Sequence, residues 1–255
     1  MLDKQGIEPY LKPYRWVILA LVWLLYAAFG LVNRSISPLA TPILEDLNMS
    51  YSQMGIILGS WQLTYIVVAI VAGTIIDKWG VRKSLFIGTV IIGLSAVLRY
   101  FPSGFGSLLP VVAIFGIGGP LISIGAPKTI ASWFRGKGRG TAVGIYTTGP
   151  WVGGLLALAA TNSFVMPIAG YSWRLTFVYY GFLVLIIALL WWFLARDIKP
   201  TGATEGESIG KVFSRLIKIR NVRLILIMGL LSFAIMHGFT TVSYTHLTLP
   251  TTPYV

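Results

Sequence analysis

Gly73-Thr-Ile-Ile-Asp77-Lys78-Trp-Gly80-Val-Arg82-Lys83-Ser84 is a short charged stretch set between two long apolar runs. Residues 56–76 before it and 84–100 after it are each about as long as an α-helix must be to cross a hydrocarbon core of roughly 30 Å. One helix therefore has to leave a bilayer and the next re-enter it within these few residues. The residue types suit that reversal. Gly80 permits a tight turn, Gly73 lets a neighbouring helix come close, and Asp77 offers a carboxylate to an arginine or to the N-terminus of another helix.

The rest of the chain repeats this pattern. Of 255 residues, 56% are hydrophobic and 11% charged, and the mean hydropathy is +0.79. A soluble domain of this length could not hide so much apolar surface, so the expected fold is an all-α polytopic membrane protein. After a polar, proline-broken tail at residues 1–13, residues 14–196 divide into six spans near 14–46, 51–76, 84–100, 108–132, 140–160 and 173–194. Residues 197–221 turn polar and then basic and amphipathic, as suits an interfacial linker, and a seventh span begins at 222 and reaches about 241. The ending, residues 242–255, is different in kind. Val242-Ser-Tyr-Thr-His-Leu-Thr-Leu-Pro-Thr-Thr252 looks like the in-frame translation of a transposase-based sequencing adapter. We therefore expect a reading frame interrupted within the seventh span and assign no role to His246.

A formal charge of +12 would suggest a nucleic-acid partner in a soluble protein. Here sixteen of the 20 Lys and Arg residues fall on the side of the N-terminus once the spans are counted, with only Arg99 and Arg174 near the other side. That is the positive-inside bias, so the charge reports orientation: a multi-pass protein of a cell inner membrane with a cytoplasmic N-terminus, and no nucleic-acid partner. The chain has no cysteine, which removes disulfides, thiolate metal sites and a cysteine nucleophile. No metal or cofactor is expected. No credible intramembrane nucleophile and base occur together, which argues against an enzyme.

All eight acids, Asp3, Glu8, Glu45, Asp46, Asp77, Asp197, Glu205 and Glu207, lie in tails, loops or span ends. The intramembrane charges are instead the cations Arg34 and Lys128, which argues for an anionic solute. On a helical wheel Trp23, Ala27, Gly30, Arg34 and Ser37 share one face, so small residues are expected to leave room beside the guanidinium, with Trp23 as a wall. Arg34 lies about 28 Å along the axis from Arg15. It either snorkels outward from a short upright helix or stays buried in a long tilted one. Lys128, close to the basic loop that follows span 4, has the same two readings. Tyr26, Gln62, Tyr65, Tyr146 and Thr147 either line a solute path or hydrogen-bond between helices.

Taken together, the Gly-x-x-x-Asp-Lys-x-Gly-x-Arg-Lys spacing and its place after the second span resemble the signature loop of the major facilitator superfamily. The resemblance covers roughly residues 14–240. It implies the N-terminal six-helix bundle of a twelve-helix secondary transporter, with the start of helix 7, a missing C-terminal bundle and alternating access around a site between the two. Gly73, Asp77, Lys78, Gly80, Arg82 and Lys83 would then form the inner gate, with Arg139 a candidate partner for Asp77. Arg15-Trp16, Tyr26-Ala27-Ala28, Asn33-Arg34 and Pro42 are similar to helix 1 of the organophosphate and anion:cation symporter branches, in which a basic residue at or beside Arg34 contacts the anion. Asn33 stands where some members carry a proton-linked Asp, so a co-transported proton or sodium ion would need another carrier group. Gly125-Ala-Pro-Lys128 through Trp133-Phe134 to Arg139-Gly140-Thr-Ala-Val-Gly144 resembles cyanate-permease-like members. Gly149-Pro150-Trp-Val-Gly153-Gly154 is similar to the core of an antiporter motif and reads as a packing and kinking element. The expected function is transport of a small anion: a carboxylate, a phosphate ester or a cyanate-like ion. A solute sensor on the same scaffold is the alternative.

Overall fold

The computed structural model describes residues 13–196 and, within a separate C-terminal unit, residues 215, 217–229, 231, 232 and 235. The first unit is helical throughout: α1 (Tyr14–Arg34), α2 (Ala40–Asp46), α3 (Tyr51–Trp79), α4 (Val81–Leu98), α5 (Phe105–Trp133), α6 (Lys137–Thr147), α7 (Gly149–Ala160), α8 (Met166–Ile168) and α9 (Trp173–Leu194). These make six apolar spans, Tyr14–Asp46, Tyr51–Trp79, Val81–Leu98, Phe105–Trp133, Gly138–Ile168 and Trp173–Leu194. Residues 220–229 of the second unit are helical. The tail at 1–12, most of the predicted linker and residues 242–255 lie outside the described residues.

Local chemistry sets the helix ends. Ser50 caps α3 in a reciprocal box: its Oγ accepts from the Gln53 backbone N–H at 3.2 Å, and its own N–H donates to Gln53 Oε1 at 2.9 Å. We expect Ser50→Ala to cost about 1 kcal/mol, seen as a fall of roughly 2–4 °C in the melting of the purified protein. Ser172 caps α9 by accepting from the Leu175 N–H at 3.3 Å. The signature turn is tighter than its sequence suggested. Only Gly80, at φ +84°, separates α3 from α4, because one residue in that glycine-favoured region reverses the backbone by itself. Asp77 and Lys78 therefore sit on the last turn of α3, and Arg82 and Lys83 on the first turn of α4.

Two other boundaries depart from expectation. Span 1 breaks after Arg34 into a short tight turn at Ser37–Leu39 and then α2, since Pro38 supplies no N–H to continue the ladder. The segment left between the expected spans 140–160 and 173–194 continues helically through a π-turn at Thr161–Val165 into α8. Thr161 there donates to the Ala157 carbonyl and shares a 2.7 Å hydrogen bond with Tyr180 Oη.

The helices pack as a bundle in which α1 lies along α7, α5 against both α3 and α4, and α4 along α9. Ile18, Val22, Leu25, Phe115, Ile122, Trp133 and Trp191 form the main core, and Ile36, Leu39, Ile43, Leu108 and Phe177 close the end near α2. That end is tied by Asp46, which pairs with Arg174 and accepts from Trp173 Nε1 at 3.1 Å, while Arg174 Nη2 donates to the Pro102 carbonyl at 2.9 Å. Arg99, in the turn after α4, is 1% exposed, its guanidinium 4.9 Å above the Phe177 ring.

Candidate anion-binding face and gate

The small residues of α1 do not leave room beside Arg34; α7 fills that space. A Cβ on Gly153 would collide with the Ala27 carbonyl oxygen, and one on Gly30 with the Pro150 carbonyl oxygen. Gly149 lies against Trp23 and Tyr26 in the same way, and a Cβ on Gly154 would stand 3.0 Å from Arg34 Cγ. The Gly-Pro-x-x-Gly-Gly run and the small face of α1 thus form one backbone-to-backbone seam, of the kind by which membrane helices approach without large side chains. Trp23 is held by that seam, its Nε1 donating to Thr148 Oγ1 at 2.9 Å, and it stands well away from Arg34 along α1.

Arg34 emerges at the end of the seam, half-buried, and makes no hydrogen bond or ion pair among the described residues. Beside it the Asn33 Nδ2 is buried without a partner. Lys128 is different. Its Nζ lies 2.6 Å from Asp77 Oδ1, so the second intramembrane cation is neutralised by the signature carboxylate. Arg139 was the expected partner for Asp77; it is exposed, and the ion pair is made by α5. Periodicity could not show this, because residues 77 and 128 are distant in sequence and are brought together only by the α3–α5 contact. The remaining members of the motif spread out. Lys78 and Lys83 are exposed, Arg82 donates through Nη2 to the Trp192 carbonyl, and a Cβ on Gly73 would meet nothing within 4 Å among the described residues.

Of the predicted polar liners, Tyr26, Tyr65 and Tyr146 meet between α1, α3, α5 and α6, whereas Thr147 donates to the Val143 carbonyl of its own helix. Tyr65 Oη on α3 and Ser123 Oγ on α5 are 2.6 Å apart, and Tyr26 Oη on α1 donates to the Ser123 carbonyl at 3.4 Å. The Tyr26 and Tyr146 rings meet edge-to-face at 5.2 Å. Gln62 is half-buried and has no hydrogen-bond partner among the described residues. Hydroxyls and ring faces from four helices thus surround a position roughly 12 Å along α1 from Arg34. Ser123 and Thr148 were not singled out from the sequence. Their only signal is a hydroxyl in an apolar span, and serine and threonine more often bond their own helix's carbonyls. Toward the Tyr14 end an open apolar groove of about 480 Å³ runs along the same side of α1, lined by Trp16, Leu19, Ala20, Trp23, Leu24 and Ile145.

Known proteins agree with this architecture. Residues 22–251 match the sequence profile of the Major Facilitator Superfamily. The chain is 31% identical over 178 residues to the hexuronate transporter of Bacillus subtilis (strain 168), covering 67% of this chain and 40% of that protein. It is 27% identical over 203 residues to the membrane sensor protein UhpC of Escherichia coli (strain K12), covering 77% and 44% of the two chains. Among solved structures, a bacterial homolog of the human lysosomal transporter Spinster, inward-facing and unoccupied, superposes with a TM-score of 0.65 at 23% identity, over 77% of this chain and 46% of that one. The chain spans less than half the length of each of these proteins. With six spans, the Gly80 reversal and the glycine seam in place, the chain belongs to the major facilitator superfamily.

Proposed function

We propose that this chain forms one bundle of a secondary transporter that moves a small organic anion, of the sugar-acid or other carboxylate class, by alternating access in a cell inner membrane. The observation that carries the reading is Arg34, a half-buried guanidinium with no counter-ion among the described residues. A cation so placed in a bilayer calls for a negative partner, and the fixed fork of arginine suits a carboxylate. The tyrosine and serine hydroxyls between α1, α3, α5 and α6 add donors and acceptors of the kind a polyhydroxylated acid would use. Support comes from the hexuronate transporter relative. Coupling to a proton or a sodium ion belongs to the proposal, with Asn33 in span 1 unable to carry the charge. A cytoplasmic N-terminus belongs to the same proposal, supported by the distribution of basic residues. The direct test is uptake of labelled hexuronate into vesicles by the full-length protein; no accumulation of any carboxylate above protein-free vesicles would end the transport reading. Given the UhpC relative, a sensor is the second reading, and binding without uptake is its signature.

Asp77 and Lys128 are proposed as the bundle's share of the inner gate. Their pair is partly exposed, with side-chain exposures of 73% and 39%, so it adds little to stability and remains open to a partner from the second bundle. Asp77→Asn in the full-length protein is expected to shift the balance toward the inward-open state and to leave solute selectivity unchanged. Labelling of single cysteines introduced near Gly80 in a cysteine-free background reports the shift, and this bundle needs no replacement to provide it; identical labelling in both proteins would remove Asp77 from the gate.

A further inference from the structure

The last turn of α9 gathers basic side chains, of which Arg82 and Lys83 belong to the signature motif and Arg196 does not. Trp191 Nε1 donates to the Arg82 carbonyl at 2.9 Å, and Arg82 answers with Nη2 on the Trp192 carbonyl, its guanidinium 5.1 Å above the Trp192 ring. Arg82 Nε is buried without a partner. Four residues beyond Trp192, past the end of the helix, Arg196 is exposed and lies 4.5 Å over the ring of Tyr14, whose hydroxyl donates to the Leu194 carbonyl at 2.5 Å, so that both guanidinium groups are anchored at the last turn of α9. Lys83 stands exposed beside Arg82. None of the three cations is in an ion pair among the described residues, and Asp197, next in sequence, lies outside them.

The apolar surroundings complete the feature. Phe193 is 76% exposed, and Leu189, Leu190 and Leu194 on the same helix are also exposed, on a span whose length and composition place it in a bilayer. Aromatic rings hold the two guanidinium groups in position without neutralising them. The result is a pair of ring-held cations at the end of a hydrocarbon-facing helix, beside apolar side chains.

We propose that the seam of α4 and α9 at this end binds the phosphate of an anionic phospholipid through Arg82 and Arg196, with Lys83 adding charge and its acyl chains lying on Phe193 and Leu190. The lipid would fasten the start of α4, the end of α9 and the start of α1 to one leaflet.

Native mass spectrometry of the purified chain in detergent, titrated with dioleoyl phosphatidylglycerol or dioleoyl phosphatidylcholine, tests this. Wild-type protein should retain phosphatidylglycerol preferentially, and the Arg82→Gln/Arg196→Gln double variant should bind it roughly thirtyfold more weakly, at about a factor of five per arginine. Arg135→Gln, exposed on another loop, should change nothing. Should the double variant fail to fold, Arg196→Gln alone is read, since this exposed side chain holds no hydrogen bond in the described fold; its expected loss is about fivefold. Equal retention of the two lipids, full retention by a folded variant, or displacement of the lipid by millimolar inorganic phosphate would each overturn the proposal, the last by making this a site for a soluble anion.

Discussion

Arg34→Gln in the full-length protein is expected to lower affinity for a carboxylate solute by at least about 100-fold, the loss of one charge-assisted, two-pronged contact worth roughly 3 kcal/mol. Calorimetric binding of hexuronate reads it directly. Glutamine keeps a polar side chain of similar reach, and it can keep the stem contact that Arg34 makes beside Gly154 across the α1–α7 seam, so the fold should survive. Melting should move by no more than about 2 °C. Arg34→Lys separates charge from geometry: restoration of about a tenth of the lost affinity would mean that the fork as well as the positive charge is used. Unchanged hexuronate affinity in a folded Arg34→Gln protein would place the guanidinium at the membrane interface and remove the main support for an anionic substrate.

Gly153→Val carries the largest expected effect on stability. The added Cβ would overlap the Ala27 carbonyl oxygen and crowd the Leu31 amide, backbone atoms that cannot rotate aside as a side chain would. Separating α1 from α7 breaks the seam along its length, with Gly30 against Pro150 and Gly149 against Trp23 and Tyr26. Overpacking of this kind costs about 3 kcal/mol, or roughly 10 °C in melting temperature for a chain of this size. At Gly144 an added Cβ meets nothing within 4 Å among the described residues, and the same substitution there is the control. Thermal unfolding of both purified variants gives the comparison; equal melting temperatures would mean that the seam does not hold the bundle together.

These effects differ in how far they could be read from the chain alone. Gly149, Pro150, Gly153 and Gly154 were legible as a packing element, because glycines four residues apart on an apolar helix let another backbone come close. The partner surface was not legible. Ala27 and Gly30 were assigned to open space beside Arg34, since a helical wheel gives the face on which a residue lies and says nothing of what stands opposite. Asp77 and Lys128 show the same limit. Each was recognisable as a charge with a task, but Lys128 was grouped with the solute and Arg139 with the gate. Ion pairing acts within about 4 Å, and the 2.6 Å contact that makes Lys128 the partner of Asp77 is formed by two helices that pack side by side.

Amphipathic period and span length are local properties, so the chain alone determined a six-span helical membrane bundle, the reversal at Gly80 and the uneven distribution of basic residues. Those follow from the poor solubility of apolar side chains in water and the need of every backbone amide for a partner in oil. Which cation keeps its charge unpaired was decided only by the tertiary structure. Lys128 reaches the carboxylate at the end of α3, and Arg34, at the end of the glycine seam, reaches none among the described residues. Counter-ion identity depends on distances of a few ångströms between helices, and no sequence pattern encodes them.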